Sequence, residues 1–292
     1  MLNEKWKKFD QNTCMSTEFV FFAFLQPIIS FTSCTSSTFC TSFTSFTSCT
    51  HCTSFTSFTH FTPFTLMTLN IIAHAHSEFP SKFGIPRQSG LAPSLRTRIV
   101  FEPEYRNAEA LRGIEEFSHL WLIWGFSEVK QEQWSPTVRP PRLGGNRRMG
   151  VFATRSPYRP NPIGLSCVEL IEVDLSPKNP TLLVGGADLM DGTPIYDIKP
   201  YLLTTDCHPE STKGFTQVHE HYQVEVEIPE EVAKIMPKAT LEKLREVLAQ
   251  DPRPAYHDDE TRVYGFPFEG YEVKFSVKEG KVVVKVVKKC HW

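Results

Sequence analysis

Between residues 31 and 65 phenylalanine recurs at roughly every third position, in a degenerate Phe-Thr-Ser repeat. A period of three matches neither a helix face nor a strand face, so no element can gather those rings on one buried side. The first 66 residues are read as a low-complexity segment without a fold, disordered or a translated repeat ahead of the expected start at Met67. From Thr68 the pattern changes to short strand-like runs. Residues 69–75 and 96–101 read as strands, and 119–126 (HLWLIWGF) is apolar nearly throughout, as a strand covered on both faces would be. Three more strands are expected at 150–154, 163–173 and 181–187. Residues 107–116 open on an asparagine N-cap and read as a short helix. Many short strands with one small helix predict a β-barrel or closely packed sheets over 67–210.

A second unit, α+β and about half the size, is expected over 217–292. Residues 222–228 alternate, 239–249 (ATLEKLREVLA) form an amphipathic helix, and 271–277 with 281–287 form a hairpin about Glu279 and Gly280. The fold class is therefore mainly β, a small barrel followed by an α+β C-terminal part.

Composition narrows the function classes. The formal charge of -2 argues against a protein that coats nucleic acid, so any nucleic acid must meet a local patch. No apolar run is long enough to span a bilayer. Five of the eight cysteines (Cys14, Cys34, Cys40, Cys49, Cys52) precede residue 53; the rest of the chain reads as a reduced, cytoplasmic protein. Cys49, His51 and Cys52 lack a second ligand pair, and His74 and His76 lack further ligands, so no metal is expected.

The chemistry concentrates in four loops. Between Glu132 and Glu169 there is no acidic residue, yet the interval holds Arg139, Arg142, Arg147, Arg148, Arg155 and Arg159. Arginine without lysine suits recognition of phosphate or carboxylate, although a solvated charged face has the same composition. The loop RPPRLGGNRRMG (139–150) is not a phosphate loop, and no Gly-x-Gly-x-x-Gly follows a strand, which disfavours a Rossmann cofactor site. In DLMDGTPIYDIKPY (188–201), Asp188, Asp191 and Asp197 surround a Gly-Thr-Pro turn; this is either an ordinary turn or an acceptor for an ammonium group. FGIPRQSGLAP (83–93) displays Arg87 and Gln88. AQDPRPAY (249–256) places Asp251, Arg253 and Tyr256 on a proline-rich stop after the helix. His119, at the start of the apolar strand, reads as a satisfied core histidine.

Together Pro86-Arg87-Gln88, GIEEFSHLWLIWGF (113–126), RPPRLGGNRRMGVFATRSPYRPNPIG (139–164), DGTPIYDIKPYL (191–202) and VLAQDPRPAY (247–256) resemble the TsaA-like family, from about Leu69 to the end. The resemblance implies a β-barrel that binds S-adenosyl-L-methionine outside any Rossmann fold and a homodimer with active sites at the subunit contact. It also implies methylation of threonylcarbamoyl-modified adenosine beside the tRNA anticodon. By the same resemblance, cofactor contacts are expected from Pro86, Arg87 and Gln88, from Arg155 and Leu165, from the turn Asp191, Gly192, Thr193 and Pro194, and from Ser127 and Glu128. The anticodon loop is expected to meet Arg142, Arg147, Arg148, Arg159 and Arg253. Three groups stay open as acceptor of the target nitrogen's proton: Asn161, Asp251 and Tyr256. Methyl transfer needs alignment more than covalent chemistry, and stiff proline-rich loops suit that. The competing reading is a module that binds S-adenosylmethionine or RNA without catalysis; a third is a structural protein associating through the phenylalanine repeat. The third makes a distinct prediction. Deleting residues 1–66 should leave the melting temperature and the number of subunits in the assembly unchanged, and loss of assembly on deletion would restore the repeat as a functional element.

Overall fold

A computed structural model describes residues 68–129, 134–140, 147–219, 222–253 and 259–290. Strands β1 (Ala73–His76), β2 (Arg96–Phe101) and β3 (His119–Gly125) are followed by a two-residue ladder of β4 (Thr137–Val138) and β5 (Met149–Gly150). Then come β6 (Ile163–Asp174), β7 (Thr181–Gly185) and β8 (Pro194–Pro200). Six of these close a barrel in the order β1-β2-β7-β6-β3-β8, antiparallel throughout, with β8 returning to β1. Alternation decides what lies inside. Leu120, Leu122 and Trp124 of β3 point inward against Val168, Ser166 and Gly164 of β6.

The expected strand over 119–126 ends at Gly125, and only one of its faces is fully buried. Its outer residues Trp121 and Ile123 are half-covered; the Trp121 indole donates to Asp206 Oδ2 at 2.8 Å from α1 (Leu203–Asp206). Residues 107–116 form two 3-10 turns, Ala108–Leu111 and Ile114–Glu116, in place of one helix. Asn107 does cap, accepting from the Glu109 amide at 3.0 Å, but Gly113 at φ 84° breaks the helix between them. Beyond Gly150 the expected strand gives way to a 3-10 turn, Val151–Ala153, because its partner β4 is only two residues long. The first strand starts at Ala73, four residues later than the sequence suggests, and β8 is a strand where only a turn was expected.

The C-terminal part holds β9 (Glu225–Glu227), α2 (Glu230–Ala233), α3 (Lys238–Ala249), β10 (Tyr264–Phe268), β11 (Tyr271–Lys278) and β12 (Lys281–Lys289). Its sheet runs β10-β11-β12-β9, with β9 parallel to β12 and the other pairs antiparallel. Thr240, Leu244, Val247 and Leu248 form the buried stripe of α3 at helical spacing. The core beneath it is not closed by the tail alone. Phe79, Ala92 and Leu95, from the β1–β2 connection, are buried in it, with Phe79 and Phe268 ring centroids 5.5 Å apart. Among the described residues no helix is long and apolar enough to cross a membrane.

The same connection carries a partly buried ion cluster. Lys243 of α3 reaches Glu78 Oε1 at 2.9 Å and Glu269 Oε1 at 2.5 Å, with side-chain exposures of 16%, 6% and 21% respectively. Glu78 Oε1 also accepts the Arg96 amide at 2.7 Å. Burial alone would lower the Lys243 pKa, but the hydrogen bonds to Glu269 and Glu78 outweigh it and raise it. Because the folded value is raised, the contribution is complete below the ordinary lysine pKa of about 10.4 and fades as pH rises through the folded one. Lys243→Ala should cost about 2 kcal/mol at pH 7, since it leaves the buried Glu78 carboxylate without its cation while Glu269 stays partly hydrated. Urea unfolding measures this; an unchanged midpoint would mean the cluster is solvated.

Candidate functional site at the end of the barrel

Three connections meet where Trp124 closes the barrel: residues 77–95 between β1 and β2, 151–162 leading into β6, and 186–193 between β7 and β8. The first and third are welded through main chain. Gly186, at φ 65°, accepts the Gly90 amide at 2.8 Å and donates to Leu95 O at 3.1 Å; a Cβ placed on it would lie 3.3 Å from Gly90 Cα. Only glycine combines that backbone angle with that approach.

On this weld sits a line of polar groups. Trp124 Nε1 donates to Ser166 Oγ at 2.9 Å, and Ser166 donates to Asp188 Oδ1 at 2.5 Å. Burial pushes the Asp188 carboxyl up; the Ser166 hydroxyl, local amides including that of Ser89, and the Arg155 charge oppose it without cancelling it. Arg155 Nη1 donates to Gln88 Oε1. Gln88, Arg155 and Asp188 are thus brought together. Ser166 and Trp124 were not singled out in sequence; the signal was present in register, since both fall on inward positions of their strands.

The Asp191 corner adjoins this cluster through the chain. Asp191 Oδ1 accepts the Ser77 amide at 3.2 Å and lies 3.4 Å from His76 Nδ1, while the Asp191 and Gly192 amides donate to Phe79 O and Ala75 O, both at 2.8 Å. Thr193 is buried and its hydroxyl donates to Met190 O at 2.7 Å. Pro194 begins β8 at the edge of the β1 pairing. No described hydrogen bond or ion pair joins Asp191 to Arg155. However, Asp188 lies three residues upstream, so the Cα atoms of Asp188 and Asp191 are at most about 11 Å apart. Asp197 is elsewhere, paired with Lys199 at 2.9 Å.

Other expected residues are spread around this end. Leu165 is on the outer face of β6, 53% exposed, opposite Ile123. Ser127, Glu128 and Asn161 are exposed where the β3–β6 ladder opens, with the Phe126 amide on Pro162 O at 3.0 Å. Pro86 is buried. Arg87 turns toward the tail, its Nη2 lying 3.4 Å from both Asp251 O and Arg253 O. Asp251 is 5% exposed, with φ 48°. Its carboxylate takes Arg253 Nε on both oxygens (2.9 and 3.1 Å) and the Tyr222 hydroxyl at 3.0 Å. That arrangement makes Asp251 a support for Arg87 and pairs Arg253 within the protein. Arg147 and Arg148 are exposed; Arg148 Nη1 donates to Thr137 Oγ1 at 3.1 Å. Arg159 Nη1 donates to Val151 O and Thr154 O at 3.2 and 2.6 Å. Arg142, Tyr256, and the Cys49, His51 and Cys52 group lie outside the described residues. Among the described residues no group of His, Cys, Asp and Glu is placed to hold a metal ion.

Residues 74–207 match the family model of the tRNA-methyltransferase O N-terminal domain, and residues 221–290 match that of the TrmO C-terminal domain. A tRNA (adenine(37)-N6)-methyltransferase of Escherichia coli is 44% identical over 213 residues, which span 70% of this chain and 90% of the relative. A chain from Pyrococcus abyssi called a "Probable S-adenosyl-L-methionine-binding protein" is 36% identical over 146 residues, 50% of this chain and 74% of its own. The crystal structure of TrmO from Pseudomonas aeruginosa superimposes with a TM-score of 0.61 at 30% identity, over 76% of this chain and 98% of that one.

Asp188 yields a pH prediction. Its folded pKa is raised, so the folded protein holds its proton more tightly than the unfolded chain does. The resulting destabilisation is absent below about pH 4 and complete above the raised value. The unfolding free energy of Asp188→Asn relative to the parent, from urea titrations at several pH values, should therefore improve as pH rises through that window. A constant difference would show that Asp188 is hydrated.

Proposed function

The chain belongs to the tRNA-methyltransferase O family, and from that membership we infer that it transfers a methyl group from S-adenosyl-L-methionine to the exocyclic N6 of adenosine 37 in tRNA. The observation that carries the reading at the level of residues is the opposed pair at the barrel end. Arg155 with Gln88 offers donors to a carboxylate, and the half-buried Asp188 offers an acceptor to a cation. A methyl donor with an amino-acid head carries both charges, and the desolvated Asp188 suits a cation that replaces its missing water. When bound, S-adenosylmethionine supplies an electrophilic methyl on sulfur: the N6–carbon bond forms, the sulfur–methyl bond breaks, and N6 loses a proton.

The rest is work for this chain's own side chains. Arg155, Gln88 and Pro86 would hold the head group, the turn from Asp191 to Pro194 would supply further acceptors, and Leu165 an apolar surface for the adenine ring, with Ser127 and Glu128 at the rim. Arg87, bound to the Asp251 and Arg253 carbonyls, would fix the Pro-Arg-Gln loop against the tail. The finer substrate is the threonylcarbamoyl-modified adenosine. Its N6, conjugated to a purine and a carbamoyl group, is a poor nucleophile, so a group that takes its proton matters. Asn161, exposed at the mouth, and Tyr256 are the candidates; the Asp251 oxygens are engaged by Arg253 and Tyr222. Arg147, Arg148, Arg159 and Arg142 would meet anticodon-loop phosphates. A homodimer and a cytoplasmic location are part of the same reading, the second supported by the tRNA substrate.

Incubation with methyl-labelled cofactor and bulk tRNA tests the reading. Labelled tRNA is expected, with label lost in Arg155→Ala and in Asp191→Ala while circular dichroism is unchanged. tRNA from cells that do not make the threonylcarbamoyl group should accept none. Cofactor binding without label transfer would leave only a sensor.

A further inference from the structure

Two large rings stand in solvent on the arginine-rich segment. Phe152 is 71% exposed and Trp134 50%, with centroids 6.2 Å apart and planes inclined by 31°. The β4–β5 ladder holds them in place, with the Val151 amide on Pro136 O at 2.9 Å and Thr137 opposite Gly150. The Arg159 guanidinium lies over Phe152, 5.7 Å from its centroid, and its bonds to the Val151 and Thr154 carbonyls keep it there. A cation thus lies over the Phe152 ring, which is still 71% exposed. Scattered surface rings are ordinary, but a cluster fixed by hydrogen bonds marks a binding surface.

Charge selects the occupant. Residues 133–168 contain no acid, and Arg147, Arg148 and Arg155 are exposed in the same interval. A two-fold contact with a second copy of this chain would set that positive patch against itself. Unpaired RNA instead brings phosphates for the arginines and a π-face for each ring. Building on the tRNA methyltransferase reading above, we propose that Trp134 and Phe152 form a stacking platform for unpaired anticodon-loop bases beside the target adenosine. Drawing the target base out of the loop stack leaves its neighbours without a partner, and the two rings supply one.

Fluorescence anisotropy without methyl donor tests this, using a labelled anticodon stem–loop and a fully paired RNA hairpin of equal charge. Phe152→Ala and Trp134→Ala should each weaken stem–loop binding roughly tenfold, and Phe152→Tyr should restore it. The paired hairpin should bind the two alanine variants as it binds the parent. Arg148→Ala should weaken both RNAs and reduce the salt slope by about one. Three outcomes overturn the proposal: unchanged stem–loop affinity in either alanine variant, equal losses on the hairpin, or a fall in sedimentation coefficient that assigns the rings to a second copy. Methyl transfer with normal stem–loop binding by Phe152→Ala would sink this platform alone. Ring-dependent binding without methyl transfer by the parent would sink the enzymatic reading alone.

Discussion

The close approach of Gly186 to Gly90 is the constraint on which the barrel end depends. It joins two loops that are about a hundred residues apart in sequence, one bearing Arg87 and Gln88, the other Asp188 and Asp191. Neither loop belongs to a strand, so the barrel's own ladders do not position them. With the main chains pinned, Asp188 is held at the end of the Trp124–Ser166 hydrogen-bond line while Gln88 is held within reach of Arg155. Opposite charges are then presented on stiff backbone, which is how a site limits reorganisation when its ligand arrives.

The loop from β1 to β2 serves both sheets. Phe79, Ala92 and Leu95 complete the core under α3, Glu78 anchors Lys243, and Ser94 bonds Glu246 through its amide and hydroxyl at 2.9 and 2.7 Å. Arg87 is held by the tail's carbonyls. A disturbance in the tail therefore reaches the Pro-Arg-Gln loop through packing and hydrogen bonds together, and barrel and tail form one mechanical system.

Where the sequence pattern was simple it was legible. β2 has the expected limits, and α3 and the β11–β12 hairpin differ from expectation by one or two residues. β8 was hidden because Pro194 and Pro200 bracket it and Asp197 and Lys199 interrupt its apolar pattern. β10 was hidden by Gly265 and Pro267. At the site, unusual local composition identified Arg155, Gln88 and the Asp-Gly-Thr-Pro turn. What composition could not show was partnership: Asp251 looks like a free acid in sequence and is a buried counter-ion in the fold. The surface position of Trp134 and Phe152 is likewise visible only in the fold.

β10 is also the outer strand of the tail sheet, and Pro267 is its next-to-last residue, opposite Glu272. A proline is tolerated there only with its nitrogen turned away from the neighbouring strand, so the open rim lacks a donor at that position. The opposite rim is three-residue β9, where Glu225 and Glu227 place like charges beside any newcomer. Each rim thus carries a feature that opposes the addition of another strand to this valine-rich sheet.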